Sequence, residues 1–268
     1  MSLRVTILGC GSSGGVPRVG RDAWGACDPS EPKNRRRRCS IFVQKLIGEQ
    51  TTNVLVDVSP DLRMQLIDAG VMQLDGILLT HPHADHIHGI DDVRPLVLEM
   101  RHRIDVHMDE HTSHVVRNAF SYIFQTPKGS QYPPLLNEER LNPGQICSVK
   151  GPAGALHAMP FTLRHGEIDA LGFRFGNLAY TPDVIDIPEQ SLPHLENLDV
   201  WIIDALRYKK HPSHFSLEEA LAWIERMKPR RAILTNLHND LDYHTLLRQL
   251  PLNVTAAYDG MSIETAFV

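Results

Sequence analysis

The segment Thr80-His81-Pro82-His83-Ala84-Asp85-His86-Ile87-His88-Gly89 constrains this chain more than any other. It follows the apolar run Ile77-Leu78-Leu79, so it falls where a buried strand gives way to a loop. In α/β folds that is where ligands collect. In an extended segment His81 and His83 project to the same side, because side chains alternate with period two. A carboxylate and a third imidazole follow after a turn, and such a set can surround metal ions. The bland alternative, a polar loop that happens to be rich in histidine, does not explain an aspartate embedded in the cluster. The chain holds fifteen histidines in 268 residues, and four of them sit in this segment.

The flanking pattern is that of α/β layers. Short β-branched runs at residues 3–8, 40–46, 53–58 and 76–79 read as strands, and helical patterns at 60–69, 93–100 and 110–124 alternate with them. Gly70 stops the first of these helices. Residues 126–144, rich in Pro, Gly and Asn, read as a long surface loop. Further strands are expected at 146–149, 158–163, 172–175, 178–180, 200–203 and 232–235. Ser216 with Glu219 forms a capping box ahead of Leu217, Ala220, Leu221 and Ile224, whose spacing predicts an amphipathic helix ending before Pro229. No composition break or repeat divides the chain, which predicts one domain over 1–268.

A net charge of -5 with 42% hydrophobic and 22% charged residues is ordinary folded composition. No apolar run reaches the roughly 18 residues of a membrane span. The stretch after Met1 breaks at Gly9 before forming a secretory core, so a cytoplasmic location is expected. Cys10, Cys27, Cys39 and Cys147 are too scattered for a disulfide framework.

His81-Pro82-His83-Ala84-Asp85-His86 resembles the HxHxDH motif of the metallo-β-lactamase superfamily, whose members are αββα sandwiches binding one or two metal ions at one edge of the β layers. The resemblance extends along most of the chain. Leu8 to Pro17, Arg38-Cys39-Ser40 and His86 to Asp92, including Asp91, resemble the branch that holds the phosphoribosyl 1,2-cyclic phosphate phosphodiesterase. Ribonuclease Z and the pyrroloquinoline quinone accessory protein are more distant neighbours. The resemblance implies that His81, His83 and His165 hold one ion, that Asp85, His86 and His238 hold the other, and that Asp183 bridges. Many relatives place the last histidine directly after a threonine, where this chain has Asn236, so a loop must turn His238 back to the metal.

Imidazoles with carboxylates suit Zn²⁺ or Mn²⁺. The implied activity is a dinuclear phosphodiesterase whose metal-bridging hydroxide attacks a small cyclic or nucleotide-like phosphate ester. Asp85 and His214 are the expected catalytic residues, His214 as the general acid of a His-x-Ser motif. Its alternative is a surface histidine before a helix. Ser12 and Ser13 of the glycine-rich loop, Arg38 and Asp91 are the expected substrate contacts. The run Arg35 to Arg38 could instead be a solvated face or an intersubunit ion pair in a homodimer, and it lacks the aromatic platform of a nucleic-acid surface. Cys27 and Cys39 are candidates for a separate structural zinc. Three other functions compete: a ribonuclease Z-like nuclease, a metal-containing accessory protein without turnover, and hydrolysis of a thioester or lactone with the same metals.

Overall fold

A computed structural model describes residues 2–266. Fourteen strands form two seven-stranded sheets among these residues. The first contains β1 (Ser2–Gly9), β2 (Ser40–Ile47), β3 (Gln50–Val56), β4 (Gly76–Leu78), β5 (Ile104–Met108) and β6 (Leu136–Arg140), and β14 (Ser262–Ala266) returns to pair with β1. The second runs through β7 (Cys147–Val149), β8 (Leu156–His165), β9 (Ile168–Phe175), β10 (Leu178–Thr181), β11 (Val200–Asp204), β12 (Arg231–Thr235) and β13 (Val254–Ala256).

Alternation along the strands builds the layers. In β2, Ile41 and Val43 face the second sheet, where they join Phe173, Tyr180 and Ile202. Phe42 between them faces outward. There it meets Leu62 and Leu66 of α1 (Leu62–Asp68) and Ile87 of α2 (Ala84–Ile87). Leu96 and Val97 of α3 (Arg94–Met100) and Val116 of α4 (Glu110–Ala119) complete this outer layer. On the other side Trp201 and Ile203 of β11 meet Ala220 and Ile224 of α5 (Leu217–Met227) and Leu246 of α6 (Tyr243–Leu247). All five residues of β11 are buried because both its faces are covered. The result is the expected αββα sandwich.

Strands β3 to β6 run parallel, as do β10 to β13. The segments that follow β3, β4, β10, β11 and β12 carry Asp57, His81, Asp183, the end residue Asp204 and Asn236 respectively. Their carboxyl ends meet along the seam between the two sheets, the position at which open α/β sheets bind ligands.

Three expectations change. The stretch 126–144 is not all loop, since β6 lies inside it. β6 ends one sheet and reads Leu-Asn-Glu-Glu-Arg, a charged edge strand without apolar alternation. The helix expected over 110–124 stops at Ala119, and residues 121–123 form a 3-10 turn after Phe120 leaves helical geometry. β5, β13, β14 and α6 were not among the expected elements; each has only three to five residues.

Candidate metal centre

The turn after β4 is held from beneath by Asp57. This residue is fully buried, sits at φ 64 and accepts from Thr80 N (2.8 Å) and Thr80 Oγ1 (3.0 Å). Its Oδ2 lies 2.7 Å from His86 Nδ1. Because the Thr80 hydroxyl proton goes to Asp57, the oxygen accepts from His81 Nδ1 at 2.9 Å. One carboxylate thereby fixes the tautomer of two imidazoles and turns both Nε2 atoms into the cleft.

His165, at the end of β8, is fixed the same way: Nδ1 donates to the Ser213 carbonyl at 2.7 Å. His83 caps α2 and brings its Nδ1 to 3.0 Å from His81 Nε2 and 3.1 Å from His165 Nε2. One proton on His83 Nδ1 can serve one of these acceptors. The other lone pair then faces nitrogen with nothing between, which a cation resolves. Ligands about 2.1 Å from a tetrahedral zinc stand roughly 3.4 Å apart, so the spacing fits. Burial holds His81 well below the usual imidazole range and also lowers His83 and His165, which keeps them in the neutral, metal-binding form.

Asp183 lies beside this group, two residues past β10. Its Oδ2 is 3.1 Å from His86 Nε2 yet has no hydrogen-bond partner of good geometry, and Oδ1 is 3.8 Å from His165 Nε2. Asp85 Oδ2 stands 3.5 Å from the same His86 nitrogen. Burial opposes charge on His86, but the carboxylates of Asp183, Asp57 and Asp85 outweigh it and push the imidazole well up. Burial likewise disfavours the Asp183 carboxylate, and His86 more than offsets it. Three groups have metal-ligand spacing among the described residues: His81, His83 and His165; His81, His86 and Asp183; and His165, Asp183 and His214.

His214 therefore touches the centre. Its Nδ1 is 2.9 Å from Asp204 Oδ2 and 3.6 Å from Asp183 Oδ1. Burial lowers His214, but Asp204 dominates in the other direction and it is pushed up to about 9. Burial pushes Asp204 up to about 7 despite His214.

His238 is placed differently. Asn236, at φ 60, occupies the position after the threonine and donates from Nδ2 to the Pro182 carbonyl at 3.0 Å, 3.5 Å from Asp183 Oδ1. His238 lies across the loop, with Nδ1 3.2 Å from Asp240 Oδ1 and Nε2 2.6 Å from Arg18 Nη1. It lines the same cleft, of about 340 Å³, together with Ser12, Ser13, His83, Asp85 and His214. Arg38 and Asp91 do not line it. Arg38 Nε pairs with Asp61 at 3.0 Å, and Asp91 pairs with Arg94 at 2.6 Å. The four cysteines are free and buried, and Cys27 and Cys39 fall in none of the ligand groups found among the described residues. Cys27 faces Arg36, and Cys39 faces Thr235.

Asp57, Asp204 and Arg18 are not among the site residues expected from the sequence. A signal existed for the two carboxylates: each closes a β-branched run, Val54-Leu55-Val56-Asp57 and Trp201-Ile202-Ile203-Asp204. Nothing local marks Arg18.

Residues 52–236 match the model of the beta-lactamase superfamily domain. The chain is similar to a crystal structure of a new diphosphatase from the PhnP family, at 35% identity and a TM-score of 0.88, covering 99% of this chain and 98% of that one. It is 31% identical over 263 residues to an octanoyltransferase of Porphyromonas gingivalis, covering 97% of this chain and 51% of the relative. A ribonuclease Z of a Bradyrhizobium species is 34% identical over 149 residues, 54% of this chain and 46% of the relative. The chain spans about half the length of the curated relatives it matches.

Proposed function

The chain belongs to the metallo-β-lactamase superfamily, in its PhnP-like branch, and from that membership we propose that it is a dinuclear metal-dependent phosphodiesterase acting on small cyclic or nucleotide-like phosphate esters. The observation that carries the reading is the meeting of His81, His83 and His165 nitrogens beside the Asp183 oxygen that lacks a hydrogen-bond partner.

His81, His83 and His165 would hold one cation and Asp85 and His86 the other, with Asp183 between them. His238, which here contacts Arg18 and Asp240, would complete the second set only if its ring turned from Arg18. Bound Zn²⁺ or Mn²⁺ supplies Lewis acidity towards the phosphoryl oxygens and eases formation of a nucleophile from water near neutral pH. Asp57 and Ser213 hold the protons on His86 Nδ1 and His165 Nδ1, so their Nε2 atoms stay presented to the cleft. His214 keeps one proton on Nδ1 against Asp204 and delivers the other from Nε2 to the leaving alkoxide. Ser12 and Ser13 line the cleft, and their hydroxyls would serve as donors to the ester oxygens.

Charge on the surface argues against a ribonuclease Z-like role. Arg36 is buried, and Arg37 and Arg38 are paired with Asp68 and Asp61, so the arginine run is not a free basic patch.

The test is turnover after chelation and reloading with Zn²⁺ or Mn²⁺. Hydrolysis of bis-p-nitrophenyl phosphate and 2′,3′-cyclic nucleotides is expected, exceeding that of an octanoyl thioester, the control chosen because of the octanoyltransferase relative. A fully loaded protein that cleaves no phosphodiester is an accessory protein, and one that prefers the thioester is an acyl hydrolase; either outcome sinks the proposal.

A further inference from the structure

Residues 206–217 form a loop closed at its base, where Leu206 N donates to Phe215 O and Leu217 N to Arg207 O, both at 2.9 Å. Arg207 braces it from within: Nε donates to the Lys209 carbonyl at 3.1 Å and Nη2 to the Lys210 carbonyl at 2.9 Å. The loop leans on the turn between β8 and β9. Ser213 O lies 2.7 Å from His165 Nδ1, and Gly166, at φ 61, packs so tightly that a Cβ there would meet the Ser213 Cβ at 2.9 Å. These contacts hold the loop as a fixed part of the cleft wall, and it brings His211 as well as His214 to the cleft.

His211 belongs to none of the ligand groups found among the described residues. Its ring lies 5.1 Å from that of His214 between centroids, and His214 lies 4.6 Å from His165, so the rings follow one another from His165 through His214 to His211. His211 Nδ1 accepts from the Ser213 backbone N–H at 3.3 Å, and the Ser213 hydroxyl lies 3.2 Å from the same atom. A neutral imidazole that accepts at one ring nitrogen carries its proton on the other. His211 Nε2 is therefore an N–H donor, and among the described residues it has no hydrogen-bond partner. Two donors that converge on one oxygen, each about 2.9 Å from it, stand at most about 5.8 Å apart. The 5.1 Å between the His211 and His214 rings falls within that reach.

We propose that His211 is a further catalytic residue, a second donor whose Nε2–H bonds to the same departing ester oxygen that receives the His214 proton. This rests on the phosphodiesterase reading. Hydrolysis adds the hydroxyl of water to phosphorus and breaks the bond from phosphorus to the departing oxygen, which keeps the electron pair and takes the proton from His214. His211 keeps its own proton and stabilises the negative charge that grows on that oxygen before the transfer is complete. Its contribution is larger the poorer the leaving group.

The test is the dependence of kcat on the leaving group, measured with methyl 4-nitrophenyl, methyl 4-chlorophenyl and methyl phenyl phosphate, whose phenols are progressively weaker acids. Three variants separate the parts of the side chain. His211→Gln keeps a donor near the place of Nε2, His211→Asn keeps an acceptor near the place of Nδ1 for the Ser213 N–H, and His211→Phe keeps a ring against His214. The Asn and Phe variants should lower kcat about threefold for the nitrophenyl ester and about thirtyfold for the phenyl ester, the scale of a hydrogen bond to a charged oxygen. The Gln variant should recover most of the loss. Metal content, measured by mass spectrometry, should match wild type in all three. A loss equal for all three esters overturns the proposal, as does a wild-type slope in the Asn or the Phe variant, which would assign His211 to holding the Ser213 turn or to packing against His214. Loss of metal in all three variants also overturns it, by placing the effect on His165 through Ser213. In each of those cases wild type still cleaves the esters and the phosphodiesterase reading stands; a fully loaded wild type that cleaves none of them overturns both.

Discussion

An imidazole is a dependable ligand or acid when its second ring nitrogen has a fixed partner. Asp57 plays that part for His86, and Asp204 for His214. Replacing Asp57 with Asn leaves an amide that cannot hold the Thr80 donors and the His86 proton together, so metal content should fall, read by mass spectrometry of the purified variant. His214→Ala should lower kcat by about 10² to 10⁴, the range for a general acid. The carboxylate of Asp204 holds His214 up at about 9, so a reaction that needs protonated His214 fades as pH rises through that value. Asp204→Asn removes the charge responsible. The alkaline limb of kcat/KM should then move to lower pH; a limb that stays in place would show that another group sets it. At this scale His81, His83, Asp85 and His86 could be read from the sequence because they are contiguous. Asp57 and Arg18 could not, because each acquires meaning from a partner far along the chain, 29 positions away for Asp57 and 220 for Arg18.

The elements that carry the centre are parallel strands ending at one seam, and their apolar runs made most of them legible. Short elements escaped: β13 has three residues, and β6 is polar enough to pass for loop. The helix α5 was legible in its chemistry as well as its pattern. Ser216 Oγ accepts from Glu219 N at 3.3 Å, and Glu219 Oε2 accepts from Ser216 N at 2.9 Å. This capping box begins two residues after His214, so it also fixes the entry of the segment that presents that histidine. Ser216→Ala should cost about 1 kcal/mol, seen in thermal unfolding as a Tm lower by about 2 to 4 °C. A larger loss would mean that the cap supports the whole His214 segment.

At the scale of the whole molecule, the first sheet supplies His81 to His86 and the second supplies His165, Asp183 and His214. A cation held between them would bind the folded chain and not the separated halves, and would stabilise it by mass action. At free metal about a hundredfold above Kd that is about 2.7 kcal/mol, and chelation should lower Tm by roughly 5 to 10 °C, with recovery on adding Zn²⁺ or Mn²⁺. A Tm indifferent to chelator would deny that metal spans the seam. The pairing of β14 with β1 has a different consequence. Ser2 lies opposite Ala266, while Gly9, at the other end of β1, leads into the cleft wall. At about 3.3 Å per residue the two ends of β1 are roughly 23 Å apart. A protein fused before residue 2 or after residue 266 therefore leaves from the same corner, on the side away from the cleft mouth. That corner also permits a circular permutant: a short linker can join these positions, and the exposed turn at Lys128-Gly129 can be opened, without cutting any strand that bears a ligand.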